Sequence, residues 1–344
     1  MTEVRSIGIL GGGQLGRMLS VAASRLGLRC HIYEPGAAPA GDVAWRLTTA
    51  PYENEAALRD FAASVDVITY EFENVPTSAL DLLEALRPIR PNRRALAISQ
   101  DRLDEKTFLN GIGLATAPFA DVPRHEDLPA AIDRLGRPAI LKTRRMGYDG
   151  KGQIRIDDGP GGWTGAPSIL EGLVDFTAEI SVIVARGADG QVAAFDPGLN
   201  LHQGGILRTT TIPCGLPARV TTDAVLIAAQ IANALDYVGV MGVELFVTPQ
   251  GLIVNEIAPR VHNSGHWTQA GCAVDQFEQH VRAVAGLPLG DGRRHADVVM
   301  QNLIGDDIDQ LPALLASPRT QVHLYGKGEA RPGRKMGHVN RIAG

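Results

Sequence analysis

The segment GVELFVTPQGLIVNEIAPR, residues 242–260, carries two apolar runs on either side of Pro249-Gln250-Gly251. Proline favours the second position of a tight turn, and glycine accepts the left-handed position that follows. We therefore predict two antiparallel strands joined by a three-residue hairpin loop that pairs Thr248 with Leu252.

This register places Glu244 directly across from Glu256 on one face of the hairpin. Two facing carboxylates repel each other and destabilise a sheet. A divalent cation between them removes the repulsion, and oxygen ligands that leave room for phosphates suit Mg²⁺. Glu244 and Glu256 are therefore candidate metal ligands, with two solvent-facing glutamates on an edge hairpin as the alternative. Asn255 points to the other face unless a β-bulge turns it.

A loop rich in hydrogen-bond donors, APRVHNSGHWTQAG, follows the second strand of the hairpin. Arg260, His262, Asn263 and His266 lie within seven residues of one another in it. Such a set of donors suits an oxyanion such as a carboxylate, a phosphate or bicarbonate. We expect this loop to bind an anion beside the metal site.

Strand-like and helix-like patterns alternate through the first hundred residues, which predicts βαβ units and a parallel, doubly wound sheet. The predicted strands are Ser6–Leu10, Arg29–Tyr33 and Val65–Tyr70, and the predicted helices are Leu15–Leu28, Ala56–Ala63 and Thr77–Leu86. The lobe ends near residue 98, after two prolines.

The pattern then changes to mostly antiparallel strands with helices, which predicts an α+β lobe over residues 99–290. Residues 291–344 form a small C-terminal element with two short strands. The predicted strands of both parts are Ala139–Lys142, Ile154–Ile156, Ile169–Glu171, Glu179–Arg186, Val192–Asp196, Gly242–Val247, Leu252–Ile257, Val298–Ile304 and Gln321–Tyr325. The predicted helices are Gln100–Asn110, Leu128–Leu135, Thr222–Leu235 and Gln276–Ala285.

Two glycine loops are candidate phosphate sites. Gly11, Gly13 and Gly16 form a GxGxxG after a strand and before a helix, and Glu34 lies where an acid would bind a ribose. A dinucleotide site and a related lobe with another ligand both fit this pattern.

The second loop comprises Gly147, Tyr148, Asp149, Gly150, Lys151, Gly152 and Gln153. Its backbone N–H groups can close over a polyphosphate, although its spacing is not that of a P-loop. Lys142 lies on the apolar strand before it, where a lysine is costly unless it meets an anion. The alternative is a hairpin turn with a lysine that reaches solvent.

Composition narrows the class of protein. The 33 Lys and Arg against 38 Asp and Glu give a net charge of −5, which argues against a nucleic-acid partner. The three cysteines are far apart and predict neither zinc nor disulfides. No apolar run approaches the length of a membrane span and no signal peptide is predicted, so we expect a cytoplasmic enzyme without a membrane partner. Neither a Ser–His–Asp nor a Cys–His nucleophile pattern emerges from the spacing.

Several segments together resemble the N5-carboxyaminoimidazole ribonucleotide synthetase family of the ATP-grasp superfamily. These are GGGQLGRML, YEFENVP, GYDGKGQ, NLHQGGILR, GVELFV with NEIAPRVHNSGHWT, and RPGRKMGH. The match runs over nearly the whole chain, from residue 7 to residue 340. The resemblance implies an α/β plus α+β fold: a Rossmann-like N-terminal lobe, ATP-grasp lobes with a mobile lid at about 117–174, and a small C-terminal β element. It also implies a homodimer.

The implied reaction joins bicarbonate to 5-aminoimidazole ribonucleotide at the expense of ATP, through carboxyphosphate, in purine biosynthesis. Mg²⁺, or Mn²⁺, is the implied cofactor beside ATP. No protein nucleophile is needed, because catalysis rests on positioning and on charge neutralisation around the γ-phosphate.

The resemblance also assigns roles to residues. Glu244 and Glu256 match metal ligands. Arg260, His262 and Asn263, with Tyr148, match a bicarbonate or carboxyphosphate pocket, and Gln14, Glu73, Arg334 and Lys335 match contacts to the aminoimidazole ribonucleotide. The residues that match ATP contacts are Arg102, Lys142, the loop from Gly147 to Gln153, the hinge Glu171, Gly172, Leu173 and Val174, then Glu179, His202, Asn255 and Glu256.

The hinge departs from the family pattern, since Gly172 and Leu173 stand where bulkier or charged residues are expected. Backbone hydrogen bonds to adenine survive this change. Three alternatives remain: a formate-using ATP-grasp ligase, a nicotinamide-dependent oxidoreductase built on the first glycine loop, and a non-catalytic nucleotide-binding module.

Overall fold

The computed structural model describes residues 4–147, 151–159 and 162–343. Its N-terminal lobe has four parallel strands in the order β3-β2-β1-β4, so the predicted parallel α/β lobe is confirmed. The strands are β1 (Ser6–Leu10), β2 (Arg29–Tyr33), β3 (Arg46–Thr48) and β4 (Val67–Tyr70), and the helices are α1 (Gln14–Arg25), α2 (Glu55–Ala63) and α3 (Thr77–Glu84). The pattern missed β3, a short edge strand whose side chains are largely exposed.

Helices and a small antiparallel sheet follow. The helices are α4 (Arg93–Ser99), α5 (Arg102–Gly111) and α6 (Leu128–Leu135), and the strands are β5 (Phe119–Val122), β6 (Ala139–Thr143), β7 (Gln153–Ile156) and β8 (Ser168–Gly172). The sheet order is β5-β8-β6-β7. Leu128 and Ile132 of α6 pack on Leu141 and Leu170 to form a separate core. The segment predicted as a lid is thus a subdomain with its own core.

The remaining strands form one nine-stranded sheet, whose main path runs β14-β13-β9-β11-β12-β15-β17-β16 with β10 paired to β9. Its strands are β9 (Ala178–Arg186), β10 (Val192–Ala194), β11 (Gly198–Gln203), β12 (Ile206–Ile212), β13 (Gly239–Thr248), β14 (Gly251–Ala258), β15 (Val298–Ile304), β16 (Thr320–Leu324) and β17 (Lys335–Ile342). Its helices are α7 (Ala218–Ala234), α8 (Thr268–Gly271), α9 (Gln276–Ala285) and α10 (Leu311–Ala316). The C-terminal strands extend the sheet that carries the carboxylate hairpin.

The two long helices of this part cover opposite faces of the sheet. Ile231 of α7 packs with Val182 and Val184 of β9. Val281 of α9 packs with the alternate residues Ile183 and Ala185. None of the described helices combines the length and the apolar character that crossing a membrane requires.

The turn of the hairpin differs from the prediction, although the facing glutamates are as predicted. Thr248 pairs with Gly251 across a two-residue turn, so the predicted three-residue loop is wrong. A β-bulge then inserts Asn255, because Leu245 pairs with Val254 while Glu244 pairs with Glu256. The shorter turn and the extra residue compensate for each other.

Candidate active site

The pKa values of the two facing glutamates are shifted in opposite directions. Burial and the charge of Glu256 raise the pKa of Glu244. Burial would also raise the pKa of Glu256, but the Arg102 guanidinium, whose Nη1 lies 3.0 Å from Oε2, holds it below its usual range. Asn255, turned by the bulge, donates from Nδ2 to Oε2 of Glu244 over 3.4 Å. Three adjacent polar side chains therefore line one edge of the sheet.

The donor set of this pair fits a hard divalent cation. Among the residues that the structure describes, no three His, Cys, Asp or Glu side chains are grouped to hold a metal. Glu244 and Glu256 supply carboxylate oxygens only, so a cation between them needs further oxygens from a ligand such as a polyphosphate. Mg²⁺ commonly binds in this way, through one or two carboxylates and substrate phosphates.

A buried network of opposite charges lies beside the pair. Lys142 of β6 donates to Oε2 of Glu171 over 2.9 Å, and Lys106 of α5 lies 3.2 Å from Oε1 of the same carboxylate. Burial alone would raise the pKa of Glu171, but the two lysines hold it below its ordinary value. Lys106 also donates to the Asn255 carbonyl oxygen over 3.3 Å, which links the small sheet to the hairpin.

Lys106 and Glu105 were not among the predicted site residues. Lys106 is fully buried, and Glu105 accepts a hydrogen bond from the Ile257 amide at 2.7 Å. Burial and the nearby Glu256 raise the pKa of Glu105 to about 8. The sequence does contain one signal that could have identified Lys106. This residue lies one helical turn after Arg102, on the same face of α5.

Arg102 begins α5 and connects the carboxylate pair to the second glycine loop. Its Nη2 donates to the Gly147 carbonyl oxygen over 3.4 Å. Tyr148, Asp149 and Gly150 lie outside the described residues. Lys151 and Gly152 precede β7, and Gln153 pairs in register with Lys142.

The predicted adenine hinge, Glu171–Val174, comprises the last two residues of β8 and the two residues after it. Gly172 donates its N–H to the Pro118 carbonyl oxygen over 2.9 Å, and Leu173 donates to Pro138 over 3.2 Å. Leu173 has an exposed side chain, and Val174 continues the segment. These two amide groups anchor the hinge to the small sheet and are occupied in this structure.

Glu179 and His202 lie together on neighbouring strands, with Oε2 of the glutamate 2.7 Å from Nδ1 of the histidine. Burial opposes a charged imidazole, but the Glu179 carboxylate raises the pKa of His202. The charge of Glu244 acts in the same direction, so this pair lies within electrostatic reach of the carboxylate hairpin.

The donor loop folds back over the hairpin. His262 packs against Gly242 of β13, where an added Cβ would come within 2.7 Å of the histidine Cβ, and its Nε2 lies 3.5 Å from Oε1 of Glu244. Burial and the charge of Arg260 lower the pKa of His262 to about 3, so the ring is neutral. Arg260 forms an ion pair with Glu73, which belongs to the N-terminal lobe.

Other predicted residues have different partners. Asn263 exchanges two hydrogen bonds with Asn302 of β15, at 2.9 and 2.8 Å, so its side-chain amide is used within the protein. His266, a candidate donor, is fully buried and hydrogen-bonds to Gln276 rather than facing the site. Arg334 donates to the Glu329 carbonyl oxygen over 2.9 Å.

Lys335 and Gln14 are two of the residues predicted to contact the ribonucleotide. Lys335 begins β17, and its charge contributes to lowering the pKa of His262. Gln14 is the first residue of α1. In the first glycine loop, the Gly12 amide donates to Glu34 over 2.8 Å, so Glu34 is turned into the loop and not toward a ribose.

Comparison with known proteins agrees with this architecture. Residues 4–100 match the ribonucleotide synthetase preATP-grasp domain, residues 107–277 the ATP-grasp domain, and residues 298–344 the phosphoribosylaminoimidazole carboxylase C-terminal domain. The fold and the paired carboxylates beside a lysine network thus define an ATP-grasp enzyme.

Relatives narrow the class to one family. The N5-carboxyaminoimidazole ribonucleotide synthase of Brucella melitensis is 54% identical over 98% of this chain and 96% of its own length. The synthetase structure from Thermus thermophilus is 42% identical with a TM-score of 0.90, covering 98% of this chain and 93% of that one. The chain belongs to the N5-carboxyaminoimidazole ribonucleotide synthase family.

A third relative was solved with ligands. It is the synthase from Aspergillus clavatus in complex with ADP and 5-aminoimidazole ribonucleotide, 30% identical with a TM-score of 0.91, and it covers 100% of this chain and 95% of that one. The resemblance seen in the sequence motifs is confirmed at the level of family and fold.

Proposed function

We propose that this chain carboxylates 5-aminoimidazole ribonucleotide with bicarbonate, driven by ATP, to give N5-carboxyaminoimidazole ribonucleotide in purine biosynthesis. The observation that carries the proposal is the pairing of Glu244 with Glu256 beside the neutral His262 and the Arg260 guanidinium. The proposed polyphosphate site and the proposed oxyanion site then lie next to each other, as phosphorylation of bicarbonate requires.

ATP is proposed to lie between the small sheet and the hairpin. Lys142 and Arg102 supply positive charge for the phosphates, and the loop from Gly147 to Gln153 covers them. The hinge Glu171–Val174 meets adenine, while Glu179, His202 and Asn255 complete the nucleotide site. Glu244 and Glu256 would hold Mg²⁺, or Mn²⁺, which neutralises phosphate charge when bound.

Bicarbonate is proposed to lie against Arg260, His262 and Asn263, with Tyr148 from the loop. A neutral His262 can hydrogen-bond the anion, and Arg260 can neutralise its charge. The γ-phosphoryl group passes to a bicarbonate oxygen with ADP as the leaving group. The exocyclic amine of the ribonucleotide then captures the carboxyl carbon, either from carboxyphosphate with release of phosphate or from CO₂ after that phosphate has been released. Gln14, Glu73, Arg334 and Lys335 are proposed to position that amine.

The domain organisation is proposed as 1–98, 99–290 and 291–344, with the subdomain at about 117–174 closing over ATP. The separate core around Leu128 and Leu141 supports its movement as one body. We also propose a cytoplasmic homodimer, for which sedimentation of the purified chain is the direct measurement.

The test is ADP release measured with ATP, bicarbonate and 5-aminoimidazole ribonucleotide, each omitted in turn. The proposal expects turnover to require bicarbonate and the ribonucleotide, and expects formate not to replace bicarbonate. ATP hydrolysis indifferent to both substrates would contradict it. Formate-dependent turnover would favour the formate-using ligase, and saturable NADH binding would favour the oxidoreductase.

A further inference from the structure

The glycine loop before α1 encloses a carboxylate of the same chain. Glu71 directly follows β4, and its Oε1 accepts a hydrogen bond from the Gly13 amide at 2.6 Å. A Cβ added at Gly11 or at Gly13 would come within 2.9 Å of this carboxylate. At Gly16 an added Cβ would come within 3.4 Å of the Glu71 side chain. The close approach of Glu71 thus explains Gly11 and Gly13, whereas an added Cβ at Gly16 would first meet the Gly11 carbonyl oxygen, at 3.0 Å.

The helix itself provides no acid for this position. The first turn of α1 contains no acidic residue, and Gly13 at its N-cap has no side chain to cap the helix. The first amide groups of a helix carry partial positive charge and favour an anion. Burial raises the pKa of Glu71, and hydrogen bonds from the Gly13 and Gly16 amides oppose that rise. Glu71 supplies the anion that the sequence of α1 lacks.

The same carboxylate lies next to the proposed ribonucleotide contacts. Glu71 is two residues before Glu73, the ion-pair partner of Arg260, and the charge of Arg260 is felt at Glu71. On the other side, the Gly13 amide that Glu71 holds directly precedes Gln14. Glu71 therefore joins the strand end that carries Glu73 to the helix start that carries Gln14.

We propose that Glu71 is a positioning residue of the ribonucleotide site. Its carboxylate closes the first glycine loop against β4, sets Gln14 relative to Glu73, and occupies the place that a dinucleotide phosphate takes in a Rossmann site. This role rests on the proposed function, because it concerns the binding of that ribonucleotide.

The experiment compares the full chain with Glu71→Gln, which keeps the shape but loses the charge. Asp66→Asn is the matched control, because Asp66 accepts hydrogen bonds from the Arg5 and Ser6 amides, both at 2.9 Å, just before the other end of β4. For each protein, the KM for the ribonucleotide, the KM for ATP and the melting temperature are measured. Hydrogen–deuterium exchange of the peptide covering residues 11–17 gives a readout that is independent of activity.

Glu71→Gln is expected to raise the KM for the ribonucleotide at least tenfold, to leave the KM for ATP within twofold, and to speed amide exchange in the loop. Asp66→Asn is expected to lower the melting temperature without changing either KM. A ribonucleotide KM within twofold of wild type, or unchanged exchange in the loop, would overturn the proposal. If Glu71→Gln does not fold, Glu71→Asp replaces it in the test, because its shorter side chain withdraws the carboxylate by one methylene. The expected results are the same.

A wild-type chain that does not turn over the ribonucleotide would overturn the proposed function instead. The exchange experiment would then still decide whether Glu71 holds the glycine loop, so the two failures are distinguishable.

Discussion

Replacing Lys106 by methionine tests the buried charge network next to the ATP site. Lys106 has no exposed surface, and its Nζ lies 3.2 Å from Oε1 of Glu171 and 3.3 Å from the Asn255 carbonyl oxygen. Methionine fills much of the same volume without the charge. The Glu171 carboxylate then keeps its ion pair with Lys142, at 2.9 Å, while its buried Oε1 loses the nearest cation.

The magnitude follows from these contacts. Removing one partner of a buried ion pair costs about 3–5 kcal/mol, because the other charge is left in a medium of low dielectric constant. Since Glu171 still keeps its ion pair with Lys142, we expect the lower end, about 3 kcal/mol of unfolding free energy. Glu171 should also hold Lys142 more tightly, which raises the KM for ATP about tenfold, or about 1.4 kcal/mol.

The assay is urea unfolding of Lys106→Met, Glu171→Gln and the double variant, with the KM for ATP measured on each. The double-mutant cycle should give a coupling energy of at least about 1 kcal/mol, as residues in direct contact do. Lys327→Met is the control, because that lysine lies over the ring of Tyr325 at 5.6 Å, outside the network. A Lys106→Met loss below about 1 kcal/mol, with additive single variants, would show that Lys106 and Glu171 do not stabilise each other.

Three further predictions follow from other contacts. Glu256→Gln should lower turnover at least about a hundredfold, because it removes charge from the proposed metal site, while circular dichroism stays native; an unfolded variant would make Glu256 structural instead. Gly242→Ala should reduce turnover at least about tenfold, because the added Cβ would lie 2.7 Å from His262 and displace it. Gly111→Ala is the control and should leave turnover unchanged, because a Cβ there meets nothing within 4 Å. Burial lowers the pKa of His280 to about 3. As the pH falls below the ordinary pKa of histidine, the unfolded chain binds a proton at this residue and the folded chain does not, so the free energy of unfolding falls. Between pH 6.5 and 5 this histidine should lower the free energy of unfolding by roughly 1.5–2 kcal/mol, measured by urea unfolding. His280→Gln should remove that part of the pH dependence. The same pH dependence in the variant would count against a neutral, buried His280.

The sequence predicts the N-terminal lobe well because its signals are local. Apolar strands such as Ser6–Leu10, glycine turns and amphipathic helices each carry their own pattern, and parallel strands with short helical crossovers follow from the alternation. The facing glutamates were also predicted, although the turn was not. A two-residue turn and a bulge at Asn255 together give the register that a three-residue loop would have given.

Other strands could not be predicted because their stability comes from distant partners. β17 was missed since polar residues interrupt its apolar pattern, yet His338 is buried against the Tyr325 hydroxyl at 2.8 Å and Asn340 donates to the His266 carbonyl oxygen at 3.0 Å. β12 contains three consecutive threonines, and Thr210 is buried because it donates to Asn200 on β11. Only the assembled sheet supplies these hydrogen-bond partners.

The residues of the candidate site also differ in whether the local sequence pattern could predict them. The pattern of the hairpin and the donor loop pointed to Glu244, Glu256, Arg260 and His262, which the structure brings together. Lys106 was missed because a lysine on a charged helix is normally solvated, and only tertiary packing buries it against Glu171.

The most direct test of the central claim is a crystal structure of the chain with Mg²⁺ and a non-hydrolysable ATP analogue. We expect a metal ion within about 2.0–2.1 Å of oxygens from both Glu244 and Glu256 and of the analogue's phosphates. A metal ion bound to the analogue with neither carboxylate as a ligand would contradict it.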